Sequence, residues 1–215
     1  MTDDYRNTEF CPKLGNVEER KDIVVAMVKT DHPKAWDMHR YISENKAPYK
    51  IAFIQAYNGK CAYCGVPLDI IPKDSFEIDH FIYKEDSRFK SKADAGYIGN
   101  LVLACHKCNH AKSSFSIPDE SHEYLHPDKP GIMDTFIRND DFYIRVAPAK
   151  SADVTTNCFY NQLDLGAEGH RLDFLLTSMR GLQTKIPESS TSHKAMSEAI
   201  ALLQKKRNIM VEKRL

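Results

Sequence analysis

Long apolar runs are missing from this chain of 215 residues. Nothing in it approaches the roughly 20 consecutive apolar residues that a membrane helix needs. The opening stretch MTDDYRNTEF has neither the basic start nor the apolar centre of a secretory leader. A membrane protein is therefore not expected, and the cytoplasm is the expected compartment. Net charge is missing too, because 30 Lys and Arg stand against 30 Asp and Glu. The balance holds along the chain, with 9 basic and 9 acidic residues in 1–57, 8 and 9 in 58–120, and 13 and 12 in the remainder. This excludes the broad basic surface of stand-alone DNA binders, so any grip on nucleic acid has to be local. The densest cationic cluster comes last, where Lys205, Lys206, Arg207, Lys213 and Arg214 face only Glu212. It reads as a solvated helix end, with a phosphate-contacting tail as the alternative. There is no internal repeat, and SSTS after Glu188 is a short linker rather than low complexity.

What the chain does have is enough apolar material, 42% of residues, for one substantial core. Residues 17–31 place Val17, Ile23, Val24, Met27 and Val28 near one helical face. AWDMHRYISEN and YKIAFIQAYN read as two further helices, the second ending at Asn58-Gly59, with Trp36 and Tyr41 as core or interface aromatics. After a knuckle turning through Gly65 and Pro67, SFEIDHFIY alternates as a strand, with Phe76, Ile78 and His80 sharing a face. A polar surface loop from Tyr83 to Gly99 leads into the short apolar strand NLVLA. A helix is then expected from His106 to Pro118. Beyond it come a hairpin around Asn139, Asp140 and Asp141, irregular sequence to Leu165, and two closing helices. The first of these is amphipathic through Leu172, Leu175, Leu176 and Met179.

Two Cys-x-x-Cys pairs, Cys61/Cys64 and Cys105/Cys108, bracket an Asp-His dipeptide and precede an Asn. Four thiolates satisfy the tetrahedral preference of zinc, so this set is expected to be structural. The paired spacing favours metal over disulfides, which leaves Cys11 and Cys158 as free, partly buried thiols. Asp79, His80 and Asn109 form a different set. A carboxylate and an amide oxygen suit a hard cation such as Mg2+ or Mn2+, and an adjacent imidazole takes a proton from water.

Taken together, Cys61-x-x-Cys64, Glu77-Ile78-Asp79-His80, Gly99-Asn100-Leu101 and Cys105-x-x-Cys108-Asn109-x-x-Lys112 resemble the HNH endonuclease family. The resemblance implies an α+β chain: a ββα-metal core with structural zinc over 58–120, an N-terminal helical region over 1–57, and a C-terminal hairpin and helices over 121–215. It implies His80 as general base, Asp79 and Asn109 as ligands of the catalytic cation, and Asn100 as a support that ties the loop to the centre. Lys112 and His110 become candidate phosphate contacts, the alternative for each being a solvated helix residue. Glu77 is a candidate supporting partner, and His106 is expected to stay outside the filled zinc site. The wider chain is similar to the small HNH proteins encoded beside an ATPase in prokaryotic anti-phage systems of the Septu type. That similarity implies DNA as substrate and an ATPase as partner. RNA cleavage by the same centre, or a non-catalytic zinc adaptor, are the alternatives.

Overall fold

The computed structural model describes residues 4–43 and 48–212, so Lys213 and Arg214 of the cationic cluster lie outside the described residues. Helix α1 (Val17–Asp31) forms where the periodicity places it, with Glu18 and Glu19 in the first turn, where carboxylates complement the helix dipole. Its buried stripe differs from the expected one. Val17, Lys21, Val24 and Val28 are buried, whereas Ile23 is 61% exposed and Met27 36%. The lysine goes inside because its ammonium finds partners there: the Asp128 carboxylate at 2.7 Å and the Leu101 carbonyl at 2.9 Å. The Tyr57 hydroxyl donates to the same Asp128 oxygen at 2.9 Å.

The next helix, α2 (Met38–Ile42), is shorter than expected and is capped by Asp37, which accepts from the Arg40 amide. Trp36 is not a core residue, since it is 58% exposed; Tyr41 is half-buried and stacks on His32. Helix α3 (Pro48–Ala56) packs on α1 and ends as expected, with Asn58 and Gly59 both left-handed.

Strands β1 (Phe76–His80) and β2 (Leu101–Cys105) pair antiparallel, with Phe76 opposite Cys105, Ile78 opposite Leu103 and His80 opposite Leu101. Helix α4 (His106–Lys112) follows β2 directly and packs on both strands. It stops short of Pro118 because Ser113 takes a positive φ of 47° that breaks the helical path. Two short helices come next, α5 (His122–Leu125) and α6 (Gly131–Thr135), followed by the expected hairpin of β3 (Phe136–Arg138) and β4 (Ile144–Val146). Part of the stretch expected to be irregular is helix α7 (Val154–Gln162). Asp153 caps it, accepting from the Thr156 amide at 2.6 Å, and it buries Thr156 and Phe159.

Helices α8 (Glu168–Gln183) and α9 (Thr191–Glu212) pack on each other. Leu172 and Leu176 are buried, while Leu175 and Met179 are half-buried. The last helix begins inside SSTS, where the Ser190 hydroxyl accepts from the His193 amide. Of the cationic cluster, Lys206 pairs with Glu168 of α8 at 2.7 Å and stays 56% exposed, and Arg207 pairs with Asp173. Cys11 is half-buried as expected, but Cys158 is exposed.

One cluster of buried apolar side chains runs from Tyr5 to Leu165 and draws on all three stretches of the chain up to α7. The N-terminal segment joins it by wrapping the knuckle. The Tyr5 hydroxyl donates to the Tyr63 carbonyl at 2.6 Å, and the buried Arg6 donates to the carbonyls of Ala62 and Pro127. Among the described residues no helix is long and apolar enough to cross a membrane.

His126 gives this core a pH dependence. Its ring is buried against Phe81, one nitrogen bonds the Gly99 carbonyl at 2.9 Å, and the other accepts from the Asp128 amide. Burial, helped by the nearby Lys21 and His122, pushes its imidazole from 6.5 down to about 4. The unfolded chain therefore binds this proton more readily than the folded one. Stability is full above pH 6.5, falls by about 3 kcal/mol as pH drops to about 4, and then levels off. Urea unfolding across that window is expected to show the loss, and the His126→Gln variant to flatten it.

Candidate functional site

Two centres are built from the β1, β2 and α4 unit. The first begins with the turn after α3, where the Gly65 amide donates to the Cys61 carbonyl and the Cys61 amide to the Val66 carbonyl. Gly65 has φ +79°, and a Cβ there would lie 2.6 Å from the Arg6 carbonyl oxygen, so only glycine lets the N-terminal segment close on the knuckle. The Ala62 amide donates to the Leu103 carbonyl at 2.7 Å, which pins the knuckle to β2. Cys105 ends that strand, and Cys108 sits in the first turn of α4. All four thiols are buried, their sulfurs lie within 4.8 Å of one another, and Cys64 and Cys105 are 3.9 Å apart. Zinc–sulfur bonds of ~2.3 Å in a tetrahedron set sulfurs about 3.8 Å apart, so the quartet fits zinc and leaves no open position for water.

In the second centre Asp79, His80, Asn109 and His110 line one polar cleft of about 340 Å³, together with His39, Tyr83 and Lys84. Burial, then the neighbouring His39, Lys84 and Lys112, push the His80 imidazole down to about 3, so it is uncharged at neutral pH. The His39 ring from α2 packs on it with centroids 4.4 Å apart. Asp79 is buried, takes a 2.6 Å hydrogen bond from the Tyr63 hydroxyl, and lies 3.2 Å from the Lys112 ammonium. Burial raises its carboxyl to about 6, with Lys112 and Tyr63 opposing that rise. Asn109 donates its amide NH to Glu77, which leaves its carbonyl oxygen as the available acceptor. A carboxylate and an amide oxygen on one cleft are the donor set a hard divalent cation takes, and each Asp79 oxygen keeps a further lone pair for it.

Residues 61–115 match the family model of the HNH endonucleases. The matched HNH stretch is about a quarter of the chain and holds both the Cys quartet and the Asp79, His80 and Asn109 side of the cleft. No curated protein and no solved structure gave a significant match.

Within the HNH stretch Asn100 is fully buried and makes three side-chain bonds, accepting from the Ile82 amide at 2.7 Å and donating to the Ile82 and Ala95 carbonyls. It closes the 81–100 loop from inside. Glu77 holds Asn109 with one oxygen and His106 with the other, at 2.7 Å, and His106 stays outside the Cys quartet.

Lys112 departs from both readings of it. It is fully buried rather than solvated or facing a phosphate, and its ammonium donates to the His80 carbonyl at 2.9 Å while pairing with Asp79. The burial is offset by partners on β1, the Asp79 carboxylate and the His80 carbonyl, rather than by anything in the helical spacing. Lys112→Met is expected to cost about 3–5 kcal/mol, since it strands a buried carboxylate. Adding Asp79→Asn should return part of that loss, as chemical denaturation of both variants would show.

His39 was missed as a cleft residue, and Tyr63 as the buried partner of Asp79. Tyr63 sits between the two cysteines of the first pair, a position that signals the metal and says nothing of Asp79. His39 has no sequence signal, because only the packing of α2 brings it to His80.

Proposed function

We propose that the chain is a metal-dependent endonuclease that hydrolyses phosphodiester bonds in DNA, with His80 as general base. The observation that carries this reading is the His80 ring lining one open, polar cleft together with the oxygen donors of Asp79 and Asn109. Asp79 and Asn109 would hold Mg2+ or Mn2+, which when bound neutralises charge on the phosphate and leaving oxygens. The imidazole nitrogen of His80 facing the cleft accepts a proton from water. The water oxygen bonds to phosphorus, the bond to the leaving 3′ oxygen breaks, and that oxygen takes a proton from solvent. Lys112 holds the His80 carbonyl and Asn100 the Ile82 backbone as the chain leaves β1, and Lys84 puts a cation on the cleft wall where a phosphate enters.

Zero net charge, and the pairing of Lys206 and Arg207 with carboxylates of α8, leave little basic surface for loading nucleic acid. This supports dependence on a partner, and the likeness to Septu-type proteins makes that partner an ATPase in an anti-phage complex. Helix α9 offers it a face, with Leu202 70% exposed.

Purified protein with magnesium or manganese is expected to nick supercoiled DNA, alone or once an ATPase encoded beside it is added, and to stop when the cation is chelated. Degradation of total RNA with the DNA left whole would move the substrate to RNA. If supercoiled DNA, single-stranded DNA and RNA all survive every condition while zinc stays bound, the nuclease reading fails and a zinc adaptor takes its place.

A further inference from the structure

The face of α4 that fronts Glu77 borders the cleft through His110 and carries two imidazoles to which the proposed cleavage assigns no role. His106 and His110, four residues apart, stand on that face with ring centroids 3.9 Å apart. Glu77 reaches them from β1, its Oε1 lying 2.7 Å from His106 Nδ1 and 3.9 Å from His110 Nε2. The three donor atoms all fall within 4.8 Å of one another, and the imidazoles are 60% and 65% exposed.

We infer that Glu77, His106 and His110 form a second transition-metal site, separate from the Cys quartet and from the Asp79 and Asn109 donors. Two imidazoles and a carboxylate select a borderline divalent ion such as zinc, nickel or cobalt and disfavour magnesium, which wants oxygen donors in octahedral order. The site is open to solvent, so water completes the coordination shell and the ion exchanges, unlike zinc in the closed thiolate quartet.

Glu77 links this site to the cleft, because its other oxygen holds the Asn109 amide. An ion on Oε1 fixes the Glu77 carboxylate and, through it, the Asn109 side chain. Transition-metal occupancy would thus set how well Asn109 presents its oxygen. Metal binding itself stands whether or not the cleft cuts nucleic acid.

The test is a cobalt titration of zinc-loaded protein with magnesium in excess, so that the thiolates and the hard-donor cleft are already supplied. Wild type is expected to take up one equivalent of Co2+ more than the His106→Ala, His110→Ala double variant. The extra ion should show weak visible d–d bands and no sulfur-to-metal charge transfer in the near ultraviolet. Glu77→Gln should weaken that equivalent by at least about tenfold, and Asn109→Ala should retain it. Both histidines are exposed and alanine suits a helix, so the double variant is expected to fold, as circular dichroism would confirm. Equal cobalt uptake by wild type and the double variant, or none by wild type, would reduce the cluster to an imidazole–carboxylate hydrogen bond and overturn the inference.

Discussion

His80→Ala is expected to lower the rate of metal-dependent phosphodiester cleavage by about 10²–10⁴-fold, the usual contribution of a positioned general base. The change removes only the ring. The His80 carbonyl still accepts from Lys112, and the ladder pairing with Leu101 is unaltered, so the thermal midpoint and zinc content should stay close to those of wild type. This separation makes the experiment decisive, because Lys112→Met would lower activity by loosening the protein whereas His80→Ala should do so in a chain that melts normally. Initial rates on supercoiled DNA at fixed magnesium measure the effect. A variant that cuts within threefold of wild type would remove His80 as the base and pass the role to His39 or His110, the other imidazoles on the cleft.

The second large effect is on folding. Zinc held by structural thiolates contributes about 10–16 kcal/mol in small zinc-binding peptides near neutral pH, which matches or exceeds the roughly 5–15 kcal/mol net stability of an ordinary domain. The quartet here ties the turn after α3 to the end of β2 and the start of α4, and it sits inside the apolar cluster rather than at its edge. Cys61→Ser or Cys105→Ser should therefore lose the ββα unit and the cooperative transition, and strong chelation should release zinc and melt the chain together. Zinc release followed with a chromogenic chelator, alongside circular dichroism, reads both. A metal-free chain that melts at the wild-type temperature would mean that the four thiols are packing residues and nothing more.

Much of this architecture was legible in the residues because the signals were local. Strand β1, strand β2 and the hairpin came from alternation and short apolar runs, and α1 from its periodicity. The Cys pairs announced their centre by spacing alone. The face of α1 was not legible, because a periodicity argument counts Lys21 as polar and cannot see Asp128, far along the chain, waiting to pair with it. Lys112 failed for the same reason. A buried lysine is decided by a partner in three dimensions, not by its neighbours in sequence. Trp36, read as a core or interface aromatic, lies outside the core and meets solvent. Helix α7 was hidden by β-branched and polar residues that lower helix propensity, although Asp153 three residues before Thr156 was a capping signal that could have revealed it. His39 carried no signal of any kind.

The contacts made by Tyr5, Arg6, Lys21 and His39 bear on how far the motif can travel. All four come from before Cys61, and they reach the knuckle, the first residue of β2 and the His80 ring. A fragment cut at Cys61 and Phe115 would keep every letter of the family pattern while shedding the struts beneath it, so it should be expressed as an unstable peptide rather than as a transplantable cutting cassette. Grafting the centre into another scaffold would require carrying the first helix and its buried lysine along.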